Sequence, residues 1–177
     1  MYKLLYNCID NNCVYNYHTI MSNNYLSNLE DHLGYWLRCL SNYIHHSFAA
    51  LLAEHDISVA QWVVLRTLYD KQNISLNEAA KLVGVDNSSL SRMIERLVQK
   101  SLVNRANITK DRRTIQLSLT SAGKILVPKL AKLADKNDES FFRILPMQKR
   151  QELLHTIRQL LETNGWDPSL YGKDRIK

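Results

Sequence analysis

The sequence predicts a mainly α-helical fold that contains one small sheet of two β-strands. Three observations support this fold class. Apolar residues recur at steps of three and four from about Leu26 onward, which is the spacing of one face of an α-helix. Between residues 114 and 120 the period changes to two, as in a half-buried strand. Ser58 and Ser75 are each followed three residues later by Gln or Glu, which is the spacing of a helix capping box.

Composition indicates an ordinary globular protein of 177 residues. Hydrophobic residues make up 45% of the chain, and no apolar run reaches the roughly 18 residues that a transmembrane helix needs. The three cysteines form no CxxC pair, which favours a reducing compartment. The N-terminal residues lack the apolar core of a secretory signal. We therefore expect a cytoplasmic protein with no cofactor and no membrane partner.

The formal net charge of +6 is concentrated in one part of the chain. Residues 75–120 contain eight basic residues and four acidic ones, so this segment alone carries +4. A basic segment of this kind favours a polyanionic partner such as nucleic acid.

The chain is predicted to begin with a loosely ordered extension, which is followed by one long helix. Residues 1–24 are rich in Tyr and Asn and show no clear period. Residues 25–56 are predicted to form an amphipathic helix because their apolar positions follow the helical spacing. Those positions are Leu29, Leu33, Trp36, Leu37, Leu40, Ile44, Phe48 and Leu51. An apolar face of this length needs a partner, so we predict that it is a dimerisation helix.

Two short helices joined by a tight turn are predicted after a second helix at about residues 58–70. Ser75 caps the first short helix, and Gly84 can end it because glycine adopts the left-handed conformation without strain. Asp86 or Asn87 caps the next helix. The apolar face of that helix consists of Leu90, Ile94, Leu97 and Val98. This arrangement is a helix-turn-helix.

A β-hairpin is predicted directly after the helix-turn-helix. Residues 102–107 can pair with the alternating strand at 114–120, and the polar residues 108–113 connect the two strands. A hairpin in this position is a wing. Residues 57–120 are therefore predicted to form a winged helix-turn-helix.

Two further helices are predicted after the wing. Thr120 caps the first, which continues past Pro128 with a kink because the proline ring removes a backbone hydrogen bond. Pro146 lies in the first turn of the second helix, which ends at Asn164 and Gly165.

The terminal helices predict assembly with a second copy of the chain. The helices within residues 121–165 present apolar faces that a helix-turn-helix is too small to cover. We therefore predict a homodimer whose interface combines N- and C-terminal dimerisation helices. Residues 166–177 are predicted to be a tail.

Three segments carry motifs beyond this periodicity. Residues 110–123 have the sequence KDRRTIQLSLTSAG, residues 85–105 have VDNSSLSRMIERLVQKSLVNR, and residues 57–65 have ISVAQWVVL. They resemble the wing, the recognition helix and, in the SlyA branch, the second helix of the MarR/SlyA family of winged helix-turn-helix transcriptional regulators. The resemblance spans roughly residues 26–163. It departs at Ser101, where the family usually has a glycine, and this departure predicts a strained turn.

The resemblance implies a sequence-specific transcriptional regulator that acts as a homodimer on a near-palindromic operator in double-stranded DNA. An α-helix fits the major groove, where residues near its N-terminus reach the base edges. The residues expected there are Asn87, Ser88, Ser89, Ser91 and Arg92. Arg92 is long enough to donate two hydrogen bonds to a guanine. The alternative is that these residues are simply the solvated face of an amphipathic helix.

Basic residues of the wing and its surroundings are candidates for contacts with the DNA backbone and the minor groove. The resemblance favours Arg113 for insertion into a narrow minor groove, where the negative potential is enhanced. Asp111 would be repelled by phosphate, so we interpret it as a brace that pairs with an arginine, the alternative being a surface ion pair without a DNA role. The residues expected to contact phosphates are Lys81, Lys100, Arg105, Lys110 and Arg112.

The resemblance also suggests a small-molecule effector. In this family small aromatic acids often bind between the first two helices and the helix-turn-helix. The candidates for lining such a pocket are Tyr43, His46, Trp62 and Arg66. The alternative is that the large aromatic residues at helical spacing only pack in the core.

Enzymatic and metal sites are not predicted. Ser88 or Ser89 could act as a nucleophile only with a general base, and no histidine lies near them in sequence. The chain has no nucleophile elbow or phosphate-binding glycine loop. On a helix, His45 and His46 would point about 100 degrees apart, which does not suit a shared metal ion.

A binding module of another kind remains the alternative function. A winged helix could bind a protein partner without sequence-specific recognition of DNA. Such a module would have an acidic or neutral wing, whereas this wing carries Arg112 and Arg113.

Overall fold

The computed structural model describes residues 26–108 and 111–166, without the side chains of residues 108 and 111–114. The predicted extension at residues 1–24 and all but the first residue of the predicted tail lie outside the described residues. Within the described part of the chain, no helix is long and apolar enough to cross a membrane.

The chain divides into two units, Met1–Arg38 and Cys39–Lys177. In the first unit, one turn of 3-10 helix at Leu29–Asp31 precedes the start of α1, which spans Leu33–Ala53. His32 has an extended backbone, with φ −93° and ψ 118°. The long N-terminal helix therefore begins several residues later than predicted, because an extended residue interrupts the helical backbone.

Helix α2, Val59–Asp70, begins with the predicted capping box. Gln61 N donates to Ser58 Oγ at 3.2 Å, and Ser58 N donates to Gln61 Oε1 at 3.0 Å. In the turn between α1 and α2, Asp56 has φ 55°, which residues other than glycine rarely adopt. The predicted helix and its cap are confirmed.

Helices α3, Leu76–Val83, and α4, Asn87–Gln99, form the predicted helix-turn-helix. Gly84 ends α3 in the left-handed conformation, with φ 79°. Of the two candidates for capping α4, Asp86 is the residue that does so, because its carboxylate accepts a hydrogen bond from Ser89 N.

The sheet has three antiparallel strands rather than the two predicted. They are β1, Ile74–Ser75, β2, Val103–Ile108, and β3, Asp111–Leu119, and β3 lies in the middle. The additional strand β1 pairs Ile74 with Leu117. A strand of two residues is too short to show a period of two in the sequence.

The wing hairpin formed by β2 and β3 is longer than predicted. Residues 108–113 were predicted to be a loop. The pairing of Ile108 with Asp111 shows that both strands extend into this segment. The register shifts between Asn107, which pairs with Ile115, and Ile108. Such an irregularity places extra residues on one of the two strands.

Helix α5, Ser121–Phe142, begins at the predicted cap Thr120 and continues through Pro128. Helix α6 spans Met147–Thr163, and Asn164, which was predicted to end it, is its C-cap.

The hydrophobic core of the second unit lies between the helices and the sheet. Its fully buried large residues are Leu52, Val64, Leu65, Leu68, Leu90, Ile94, Leu97, Val103, Leu117, Val127 and Leu130. Gly123 is required at the start of α5, because a Cβ there would lie 2.3 Å from the carbonyl oxygen of Leu102. Helix α6 contributes no buried residue to this core.

Candidate nucleic-acid interface

The predicted base-reading residues all lie in the first two turns of α4. Asn87, Ser88 and Arg92 are exposed, whereas Ser89 and Ser91 are half-buried. The opposite side of the helix is anchored in the core by the buried residues Leu90, Ile94 and Leu97. The structure therefore presents one polar face of α4 to solvent, and the core holds that face in place.

Asp86 organises the start of this face. Its Oδ1 accepts from Ser89 N at 2.8 Å, and its Oδ2 accepts from Ser89 Oγ at 2.7 Å. These hydrogen bonds from Ser89 hold the pKa of the Asp86 carboxyl below its ordinary value of 3.8. In turn, Arg92 Nη2 donates to Ser89 Oγ at 3.4 Å. Asp86 was predicted only as one of two possible caps, and its contact with the Ser89 side chain was missed.

Asn87 links the two helices of the motif. Its Nδ2 donates to Asn77 Oδ1 of α3 at 2.6 Å. Asn77 was not among the predicted site residues, because a contact between two helices leaves no signal in the spacing of either one. The side-chain amide of Asn87 therefore already donates one hydrogen bond within the protein.

The predicted phosphate contacts differ in their surroundings. Lys81 is exposed on α3. Lys100 Nζ lies 2.7 Å from Asp56 Oδ2, and Arg105 Nη1 lies 3.5 Å from Glu95 Oε1. Two of these cations therefore have acidic partners within the chain, which reduces the charge that each can offer to a phosphate.

Four of the predicted site residues come from the segment 110–113. Lys110 lies outside the described residues, as do the side chains of Asp111, Arg112 and Arg113. The backbone places the last three in β3, at the irregular end of the hairpin.

Two of the four candidate effector residues lie together. Tyr43 and His46 on α1 line a groove of about 470 Å³ with Ser47 of the same helix and with Ser140 and Phe141 of α5. The rings of Tyr43 and Phe141 meet edge to face, with their centroids 5.4 Å apart.

Trp62 and Arg66 do not line this groove. Trp62 packs edge to face against Phe48, with the ring centroids 6.2 Å apart. Arg66 pairs with Asp70 and lies over the ring of Tyr69. This groove therefore contains two of the four predicted residues, while Trp62 and Arg66 contact other side chains.

The described residues include no group of three or more His, Cys, Asp or Glu side chains that could hold a metal ion.

Comparison with known proteins finds a family match in the same region of the chain. A model of the MarR family matches residues 57–115. The HTH-type transcriptional regulator SarZ of Staphylococcus haemolyticus is 22% identical over 144 residues, which cover 81% of this chain and 95% of SarZ.

Solved structures of MarR-type proteins share the fold. A mutant MarR from E. coli complexed with operator DNA superposes with a TM-score of 0.69 at 24% identity, covering 76% of this chain and 99% of MarR. BpsR of Bordetella bronchiseptica also superposes with a TM-score of 0.69, at 25% identity, covering 76% of this chain and 96% of BpsR.

Proposed function

We propose that this chain, which belongs to the MarR family of winged-helix proteins, is a DNA-binding transcriptional regulator that acts in the cytoplasm as a homodimer. The observation that carries the proposal is the exposed polar face at the start of α4, which the core holds in a fixed position. In the helix-turn-helix, this is the part of the second helix that enters the major groove. The similar MarR was solved with operator DNA, and SarZ is named as a transcriptional regulator.

The roles of individual residues are part of the proposal. Arg92 is the base-reading residue, and Ser88 and Asn87 allow close approach to the groove. Arg113 enters the minor groove from the wing, with Asp111 as its brace. Lys81 contacts phosphate, which positions the protein without reading sequence.

Assembly as a dimer is supported by the exposed apolar side chains of α6. They lie within one face of the helix and comprise Leu153, Leu154, Ile157, Leu160 and Leu161, each 36–50% exposed. In the first unit, Leu33, Trp36 and Leu37 are likewise exposed. Exposed apolar faces of this kind are usually covered by a partner. A two-fold dimer would place its recognition helices about 34 Å apart, which is one turn of DNA.

A small aromatic acid is proposed as the effector, bound in the groove lined by Tyr43, His46 and Phe141. The groove volume of about 470 Å³ suits a small ligand. The solved BpsR structure concerns regulation of DNA binding by 6-hydroxynicotinic acid, which is a compound of this class.

Selection of bound sequences from random duplex DNA tests the proposal. The expected result is a near-palindromic consensus with half-site centres one helical turn apart. Recovery of no consensus, with a stable dimer and uniform weak binding to all DNA, would overturn it in favour of a protein-interaction module.

A further inference from the structure

Asp86 uses both of its carboxylate oxygens on one residue, Ser89. Oδ1 accepts from the backbone N of Ser89, and Oδ2 accepts from the Ser89 hydroxyl. The same hydroxyl oxygen accepts from Arg92 Nη2. The three side chains therefore form one chain of hydrogen bonds across the first two turns of α4.

This chain of bonds determines what Ser89 can do. A hydroxyl has one proton to donate and two lone pairs that accept, and the proton of Ser89 is directed to Asp86. Ser89 can therefore accept a hydrogen bond from Arg92. It cannot donate to a phosphate or to a base acceptor while its proton is hydrogen-bonded to Asp86.

We propose that Asp86 is a positioning residue for DNA specificity, which acts through Ser89 to orient Arg92 toward one base position. The inference rests on the proposed function, because it concerns which DNA sequence is bound. A side chain that is already oriented loses less conformational entropy on binding. The cognate sequence gains from this orientation, whereas random DNA, which is bound through its phosphates, does not.

A helix cap alone does not require a carboxylate at this position. Asn and Ser cap helices about as well as Asp, but neither can offer two acceptor oxygens to Ser89. Asp86 is also exposed, so its negative charge repels nearby phosphates and weakens binding to all DNA. Asp86 should therefore lower overall affinity while it raises discrimination, whereas a carboxylate that only capped the helix would lower the affinity for all sequences alike.

The test compares affinities for the selected sequence and for random duplex DNA. Asp86→Asn keeps the cap and the side-chain size, and we expect it to bind random DNA more tightly while the ratio of cognate to random affinity falls about tenfold. Ser89→Ala breaks the same chain of bonds without changing the charge, so the ratio should fall with little change on random DNA. The double variant should reduce the ratio of cognate to random affinity little more than either single variant does.

A control variant separates positioning from capping. Ser58→Ala removes the corresponding cap of α2, and it should lower thermal stability without changing the affinity ratio. In the absence of DNA, ¹⁵N relaxation of the Arg92 Nε–H group should show larger motion in Asp86→Asn and in Ser89→Ala than in the unmodified chain.

The outcomes distinguish this inference from the proposed function. An unchanged affinity ratio in Asp86→Asn, or equal motion of Arg92 in all of these proteins, would overturn the role of Asp86 and leave the proposed function intact. Failure of the unmodified chain to select any sequence would overturn the proposed function and this inference together.

Discussion

Lys100 Nζ lies 2.7 Å from Asp56 Oδ2 and also donates to the carbonyl oxygen of Asp56. The contact joins the C-cap of α4 to the turn between α1 and α2, which lies 44 positions earlier in the chain. The sequence predicted that Lys100 contacts a phosphate. In the structure an acidic partner within the chain partly neutralises its charge.

The substitution Asp56→Asn tests whether the ion pair with Asp56 weakens the interaction of Lys100 with DNA. Asn tolerates the positive φ of Asp56 but removes the competing charge. We expect tighter binding to every DNA sequence and a steeper salt dependence, whereas Lys100→Ala should weaken binding on every sequence. Binding isotherms at several salt concentrations provide the measurement. If neither variant changes the salt dependence, the role of Lys100 is confined to the protein.

Arg92→Ala should weaken binding to the selected operator by about 1 to 3 kcal/mol and relax the preference at one base position per half-site. Arg96, one turn later on α4, is also exposed and serves as the matched control. Arg96→Ala should affect all sequences alike. Equal losses for Arg92→Ala on operator and random DNA would make Arg92 a phosphate contact.

Ser101 has φ 57°, in agreement with the strained turn that the sequence predicted at this position. Glycine adopts this conformation without steric cost, so Ser101→Gly should raise the free energy of unfolding by about 1 kcal/mol. Denaturant unfolding measures the change. Ser101→Ala keeps the strain and should leave stability nearly unchanged. A glycine variant that is less stable than the unmodified chain would contradict this account.

The apolar face of α6 can be disrupted without truncating the chain. Leu154 and Leu160 are about half exposed, and replacing both with Glu would place two charges in the proposed interface. We expect the sedimentation coefficient to change from that of a dimer to that of a monomer. Gln159 lies on the opposite side of the helix by its spacing, so Gln159→Glu should remain dimeric. A stable dimer after both leucine substitutions would place the interface elsewhere.

The ion pair between Glu139 and Arg150 links α5 to α6 and predicts a dependence on pH. Arg150 donates from Nη1 to Oε2 at 2.6 Å and from Nη2 to Oε1 at 3.0 Å. These bonds hold the pKa of Glu139 below its ordinary value of 4.5. The folded chain therefore binds fewer protons at this group than the unfolded chain, so the contribution to stability is present above 4.5 and is lost as the pH falls through the lower folded pKa.

Thermal unfolding across this acidic range measures the effect of the pair. Glu139→Gln should show a smaller loss of Tm on acidification than the unmodified chain, and Arg150→Gln should show the same reduction because it removes the partner. An identical acid profile in all three proteins would mean that the pair does not couple folding to pH.

Sequence alone was sufficient to predict these helix caps and the polar face of α4. Ser58, Ser75 and Thr120 each accept a hydrogen bond from the backbone N three residues later, as the capping spacing predicts. The polar face of α4 was likewise predictable, since a helix brings residues three and four apart onto one side. These features are determined within one or two turns of chain, so local residue types decide them.

The tertiary structure decided which strand residues, charges and aromatic rings have partners. Ile74 pairs with Leu117 although it has no strand pattern of its own. Lys100 at the end of α4 pairs with Asp56 in the turn between α1 and α2. Trp62 packs against Phe48 rather than lining the groove beside Tyr43. Such contacts depend on the angles and distances at which separate elements pack, and the spacing of residues within one element does not specify them.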